Sequence, residues 1–128
     1  MSRLYRQAWA WIVLPILSGT LTTAASGEQT TQPDDERIQE VICERFSMSL
    51  EELCSHKRSQ NIVYPRQVAM YLSRELTDSS LPKIGKHFGD RDHTTVLHAN
   101  TKITNMIRAD RTVYNLVQEL TARIKQVR

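Results

Sequence analysis

The 128-residue chain carries 17 Lys and Arg against 14 Asp and Glu, a formal net charge of +3. That length holds one domain, or one domain with an appendage, and leaves no room for a multidomain enzyme. The charge is too mild to establish a polyanionic partner, and Cys43 and Cys54 match neither a zinc ribbon nor a thioredoxin spacing. The charge is unevenly spread, however. Residues 1–36 set Arg3 and Arg6 against Glu28, Asp34, Asp35 and Glu36, a net of −2, which leaves +5 on the remainder. The basic residues gather in Lys57–Arg74 and Lys83–Arg91, a pattern that suits nucleic-acid binding better than the total does.

Residues 1–27 form an apolar leader. Arg3 and Arg6 precede the run AWAWIVLPIL, and small residues lead into Gly27, which resembles a secretory signal peptide. The run is short for a transmembrane helix and contains Pro15. A DNA-binding domain has no substrate outside the cell, so a non-native or recombined leader is the preferred reading over export. Residues 28–36 lack apolar side chains and read as a solvated linker, which places the globular domain at 37–128.

Within that domain the apolar period is helical. Ile38, Val41, Ile42 and Phe46 define a first helical face. Ser49 and Glu52 form a capping-box pattern that opens a short helix with Leu50 and Leu53. SHKRSQNIVY then reads as a basic loop, with Pro65 in the first turn of a third helix that buries Val68, Ala69, Leu72 and Leu76. Ser80 and Pro82 open a fourth helix carrying Leu81, Ile84 and Phe88 on one face, and Gly89 follows where a left-handed residue ends a helix. Asp92 stands at the N-cap position of a fifth helix with Val96, Ala99, Ile103 and Ile107 inward. Asp110 caps a last helix with Val113, Leu116, Val117, Leu120 and Ile124. No stretch shows a strand period. The expectation is an all-α fold of about six helices containing a helix-turn-helix, with the two cysteines as half-buried free thiols.

Enzymatic readings find no support. Gly85-Lys86 lacks the upstream glycine and the following hydroxyl of a phosphate-binding loop, and neither a G-x-S-x-G nor an H-E-x-x-H motif occurs. His93 and His98 are offset by about 140° around a helix, so they do not converge on one metal. No metal, cofactor or small-molecule substrate is expected.

The DNA reading draws on two clusters. His93, Thr94 and Thr95 put an imidazole, hydroxyls and methyl groups in the first turn of the second member of the helix-turn-helix, the turn that meets base edges in a major groove. Asp92 can accept from cytosine as well as cap. Such a segment also suits an ordinary capped helix; Lys83, Lys86 and Arg91 beside the turn favour DNA, because phosphates run along a groove. The second cluster is Lys57-Arg58 in the loop with Arg66, Gln67 and Arg74 on the third helix. A loop arginine such as Arg58 can enter an adjacent minor groove.

These residues carry a family resemblance. Ile84-Gly85, Phe88-Gly89, Arg91 through Ala99 and Lys102-Ile103, with Pro65 through Met70, Arg74 through Thr77 and Ser80-Leu81-Pro82 upstream, resemble the C-terminal DNA-binding domain (domain IV) of the bacterial replication initiators of the DnaA family. The resemblance covers about residues 38–125. It implies a Trp-repressor-like helix-turn-helix and specific, monomeric binding to the asymmetric duplex DnaA box of replication origins and promoters. It further implies major-groove reading by Asp92, His93, Thr94 and Thr95, and minor-groove entry by Arg58. Base and phosphate contacts fall to Arg66 and Gln67, and approaches to the DNA backbone to Leu81, Pro82 and Lys102. Arg74 stands where the family often has lysine, and His56 and Gln60 stand where many members are basic.

An initiator's ATPase module and helicase-contacting domain do not fit into 36 residues. The expectation is therefore a reader of the box without the motor, acting in the cytoplasm at the nucleoid, with a full-length initiator as a further possible partner. The competing reading is a membrane-associated or exported helical interaction domain that retains its apolar leader.

Overall fold

The computed structural model describes residues 33–126, and among these it contains six α-helices and no strand. Helix α1 spans Asp35–Phe46, α2 Leu50–Leu53, α3 Gln60–Leu76, α4 Leu81–His87, α5 His93–Ala109 and α6 Arg111–Lys125. The apolar leader lies outside the described residues. None of the described helices is long and apolar enough to cross a membrane.

Local chemistry sets most of the boundaries. The Asp34 carboxylate accepts from the Arg37 amide at 2.8 Å and starts α1, with Asp35 and Glu36 in its first turn. The acidic residues that composition assigned to a linker are thus the cap and first turn of a helix. Free amides and the positive end of the helix dipole favour carboxylates there. Ser47, at φ 52°, ends α1 in the left-handed conformation. The capping box of α2 is complete: Ser49 Oγ accepts from the Glu52 amide at 3.1 Å, and Glu52 Oε1 accepts from the Ser49 amide at 3.2 Å. Ser80 Oγ accepts from the Lys83 amide and opens α4. Asp110 accepts from the Thr112 amide at 2.9 Å and opens α6, while its own amide closes α5 on the Met106 carbonyl at 2.8 Å.

Helix α3 corrects the expected start at Pro65. It begins at Gln60, with the Ser59 carbonyl accepting from the Ile62 and Val63 amides at 2.9 Å each, so Pro65 lies past the first turn. Proline there removes the bond that its amide would make to the Asn61 carbonyl. Burial of Ile62 and of Pro65 itself offsets that loss.

Helix α3 packs against all of the other described helices and occupies their centre. Val68, Ala69 and Leu72 meet Ile38, Val41 and Ile42 of α1, Leu53 of α2, and Ile84 and Phe88 from the α4 segment in one cluster. Val96, Ala99 and Ile103 of α5 and Val113, Val117, Leu120 and Ile124 of α6 complete it. Leu76 and Ile107, expected in the stripe, are only half-buried, each near the end of its helix. Both cysteines are free and half-buried.

Candidate nucleic-acid interface

Helices α4 and α5 form the helix-turn-helix. The turn is dictated by two glycines. Gly89 has φ +89°, and a Cβ there would stand 2.3 Å from the Cys54 carbonyl oxygen. A Cβ on Gly85 would stand 2.1 Å from the Arg91 carbonyl oxygen, and the Gly85 carbonyl accepts from the Arg91 amide at 2.8 Å. Asp90 joins Gly89 at positive φ, 57°. Only residues without a side chain at 85 and 89 allow the chain to double back this tightly.

The turn delivers α5 with one face in the core. Val96 and Ile103 are fully buried, whereas Asp92, His93, Thr94, Thr95, His98, Thr101 and Lys102 are exposed and Leu97 is 46% exposed. The first turn is therefore a rigidly mounted, open row of donors and acceptors. Asp92 occupies the N-cap position without a side-chain bond to a helix amide; its carboxylate instead accepts from the Thr94 hydroxyl and lies 3.3 Å from His93 Nδ1. That differs from the expected capping bond, and the neighbouring hydroxyl is the competitor that wins. The Thr94 hydroxyl pulls the Asp92 carboxyl below the usual range, with the His93 imidazole assisting, so Asp92 is an acceptor at neutral pH.

The other candidate positions surround this row. Pro82, Lys83 and Lys86 are exposed on α4, Leu81 is half-buried at its start, and Gln67 and Arg74 are half-buried on α3. His56, Lys57 and Arg58 are exposed in the segment between α2 and α3.

Two arginines behave differently from the expectation of groove or phosphate contacts. Arg66 is only 5% exposed. Its Nε donates to the Leu53 carbonyl at 2.8 Å, and one terminal nitrogen donates to the Ser55 carbonyl at 2.8 Å and the Lys57 carbonyl at 3.1 Å. Arg91 donates to the Phe88 carbonyl and, at 2.7 Å, to the same Ser55 carbonyl. Both guanidiniums point into the protein, where helix-terminal and loop carbonyls accept their N–H groups. Burial lowers the pKa of each. The proximity of Arg91 lowers that of Arg66 further, and Arg58 does the same to Arg91 despite the opposing effect of Cys54. Arg66 and Arg91 therefore meet at the Ser55 carbonyl, at the junction of loop and turn.

Residues outside the expected set also support this junction. Gln39 on α1 donates from Nε2 to the His87 carbonyl at 2.7 Å, and the Cys54 thiol donates to the same carbonyl at 3.3 Å. Asp35, itself buried, accepts from the Ser79 hydroxyl at 2.9 Å and lies 3.5 Å from His87 Nε2. A glutamine and an aspartate on the inner side of a first helix were the available signals, since buried polar side chains need partners.

Comparison with known proteins agrees with the geometry. The model of the bacterial dnaA protein helix-turn-helix matches residues 36–103, which include the junction, the turn and every candidate DNA-facing position. The chain is 56% identical over 88 residues to the chromosomal replication initiator protein DnaA of Caldanaerobacter subterraneus subsp. tengcongensis, a match that spans 69% of this chain and 20% of the relative. The DnaA proteins of Thermoanaerobacter sp. strain X514 and Thermoanaerobacter pseudethanolicus match with the same identity and coverage. With more than half of its residues matched in this order and fold, the chain belongs to the bacterial DnaA helix-turn-helix family.

Proposed function

We propose that the chain binds duplex DNA sequence-specifically at a DnaA box, as a monomer, reading two grooves. Asp92, His93, Thr94 and Thr95 read base edges in the major groove, and Arg58 enters the adjacent minor groove. Lys83, Lys86 and Lys102 neutralise phosphates beside them, with Leu81 and Pro82 against the backbone and Gln67 and Arg74 contributing from α3. The observation that carries this reading is the exposed donor–acceptor row at the start of α5, mounted on a fully buried opposite face. The relatives named above are replication initiators, which makes origin or promoter boxes the sites to test. The proposed place of action is the nucleoid.

The test is a titration of the protein on a box duplex and a scrambled duplex across several salt concentrations. The expected result is tight, salt-dependent binding to the box and weak binding to the scramble. Replacing Lys83 or Lys86 by Ala should weaken both duplexes alike and reduce the salt slope by about one. Equal affinity of the unmodified protein for both duplexes would overturn the reading.

A further inference from the structure

The two inward-facing arginines bind one carbonyl. Ser55 O accepts from Arg66 on α3 at 2.8 Å and from Arg91 in the helix-turn-helix at 2.7 Å. Each guanidinium also holds a carbonyl at or beside a helix C-terminus: Leu53, the last residue of α2, for Arg66, and Phe88, the C-cap of α4, for Arg91. Unpaired carbonyls at a helix end carry partial negative charge and favour a cation. Two neighbouring guanidiniums repel, and burial of either is costly unless its N–H groups are paired. The four carbonyls of Leu53, Ser55, Lys57 and Phe88 supply that pairing. Arginine's planar fork can bridge carbonyls from separate segments in fixed geometry, which the point charge of lysine cannot.

The consequence concerns spacing. Arg66 holds the carbonyl of Lys57, the residue immediately before Arg58. Arg91 is the residue immediately before Asp92. The two arginines therefore meet at Ser55 and join the backbone that carries the loop residue to the backbone that carries the helix row. We propose that Arg66 and Arg91 are positioning residues that fix the offset between the minor-groove and major-groove readers, and so decide whether both engage a single box. The inference rests on the box-binding function proposed above. A reading site must hold its groups within a fraction of an ångström, and an irregular loop has no packed opposite face to do this.

A double-mutant cycle in the full chain tests it. Arg58→Ala, Arg66→Lys and Arg91→Lys are made singly, and each lysine variant is combined with Arg58→Ala; lysine keeps the charge and removes the fork. The duplexes are the box, a box altered only in the base pairs facing Arg58, and a box altered only in those facing Asp92–Thr95. Each single variant is expected to weaken box binding about tenfold, and each lysine substitution in the Arg58→Ala background to add less than about twofold. The lysine variants should also lose discrimination on the minor-groove duplex while keeping it on the major-groove duplex, with the salt slope unchanged. A folding defect would instead lower active protein and leave both discriminations intact. Amide exchange at 56–58 should accelerate in both lysine variants.

Multiplying losses of about a hundredfold in the double variants, or a salt slope that falls with each lysine substitution, would overturn positioning in favour of direct contact. Lysine variants that bind and discriminate as the unmodified protein does would overturn it too. If Arg66→Lys does not fold, the half-buried Arg91→Lys alone decides by the same criteria. Failure of the unmodified protein to prefer the box over a scramble is a different result and removes the proposed function itself.

Discussion

The start of α5 and the Ser55–Arg58 segment are both open, both basic or flanked by basic residues, and placed by different physics. The α5 row is positioned from behind: Val96, Ala99 and Ile103 insert into the core, the side chains at 93–95 take their direction from a regular helix, and Asp92 stands at its extended N-cap. The loop has no apolar anchor of its own beyond Leu53. It is held by polar bonds from Arg66 and Arg91 and by contact of Cys54 with Gly89. Packing is non-directional and spread over many atoms, so it tolerates variation in any one of them. Hydrogen bonds to carbonyls are directional and few, so each is individually important. A reader on a helix is thus fixed by the fold as a whole, and a reader in a loop by named contacts.

The largest expected effect breaks the apolar mounting. Phe88 is fully buried between α4 and α5, and Phe88→Ala should destabilise the domain by about 3–5 kcal/mol, measured by urea unfolding. Both readers should fail together in that variant.

Gly85→Ala comes next. Its Cβ meets the Arg91 carbonyl oxygen, a backbone atom that cannot swing away, and about 1–3 kcal/mol of strain is expected as a lowered melting midpoint. Because Arg91 moves with that carbonyl, this variant should loosen the loop as well as the turn, which amide exchange at 55–58 would report.

Thr94→Ala separates reading from mounting. The side chain is exposed, so stability should hold while discrimination between the box and single-base variants falls by about 1–3 kcal/mol per lost base contact. An unchanged discrimination profile would remove Thr94 from the readers.

The smallest effect is acidic. The Thr112 hydroxyl and amide hold Asp110 below its ordinary value of 3.8, so its capping contribution to stability is present above that value and is lost as pH falls through the lower folded value. Asp92 follows the same sign through its Thr94 hydroxyl. Neither group should therefore change stability near neutral pH. Asp110→Asn, which still caps but does not titrate, should flatten the acid limb of the unfolding profile without altering the neutral plateau.

Much of this molecule was legible along the chain. The 3.6-residue period located the longer helices, the Ser49–Glu52 capping box located the short α2, and Gly89 marked the end of α4. Proline is a first-turn signal and so points to a start at Pro65, whereas burial of Ile62 outweighs that local preference and α3 begins at Gln60. The acidic residues at 34–36 read as linker because composition does not distinguish a solvated run from a capped first turn. Leu76 and Ile107 followed the period but fell near helix ends, where fewer neighbours cover them.

The candidate site divides along the same line. The type and order of groups at Asp92–Thr95 are set by sequence, since a helix start converts consecutive residues into one exposed row. The roles of Arg66 and Arg91 are not, because an arginine among basic residues looks alike whether it faces a phosphate or a carbonyl. Their partners, Leu53, Ser55 and Lys57 for Arg66 and Ser55 for Arg91, are backbone atoms that carry no residue-type signal. Local sequence determined the helical faces, the caps at Ser49, Ser80 and Asp110, and the donor–acceptor row. Only the tertiary structure decided which charges turn inward, because that depends on where packing sets helix-end carbonyls to accept them.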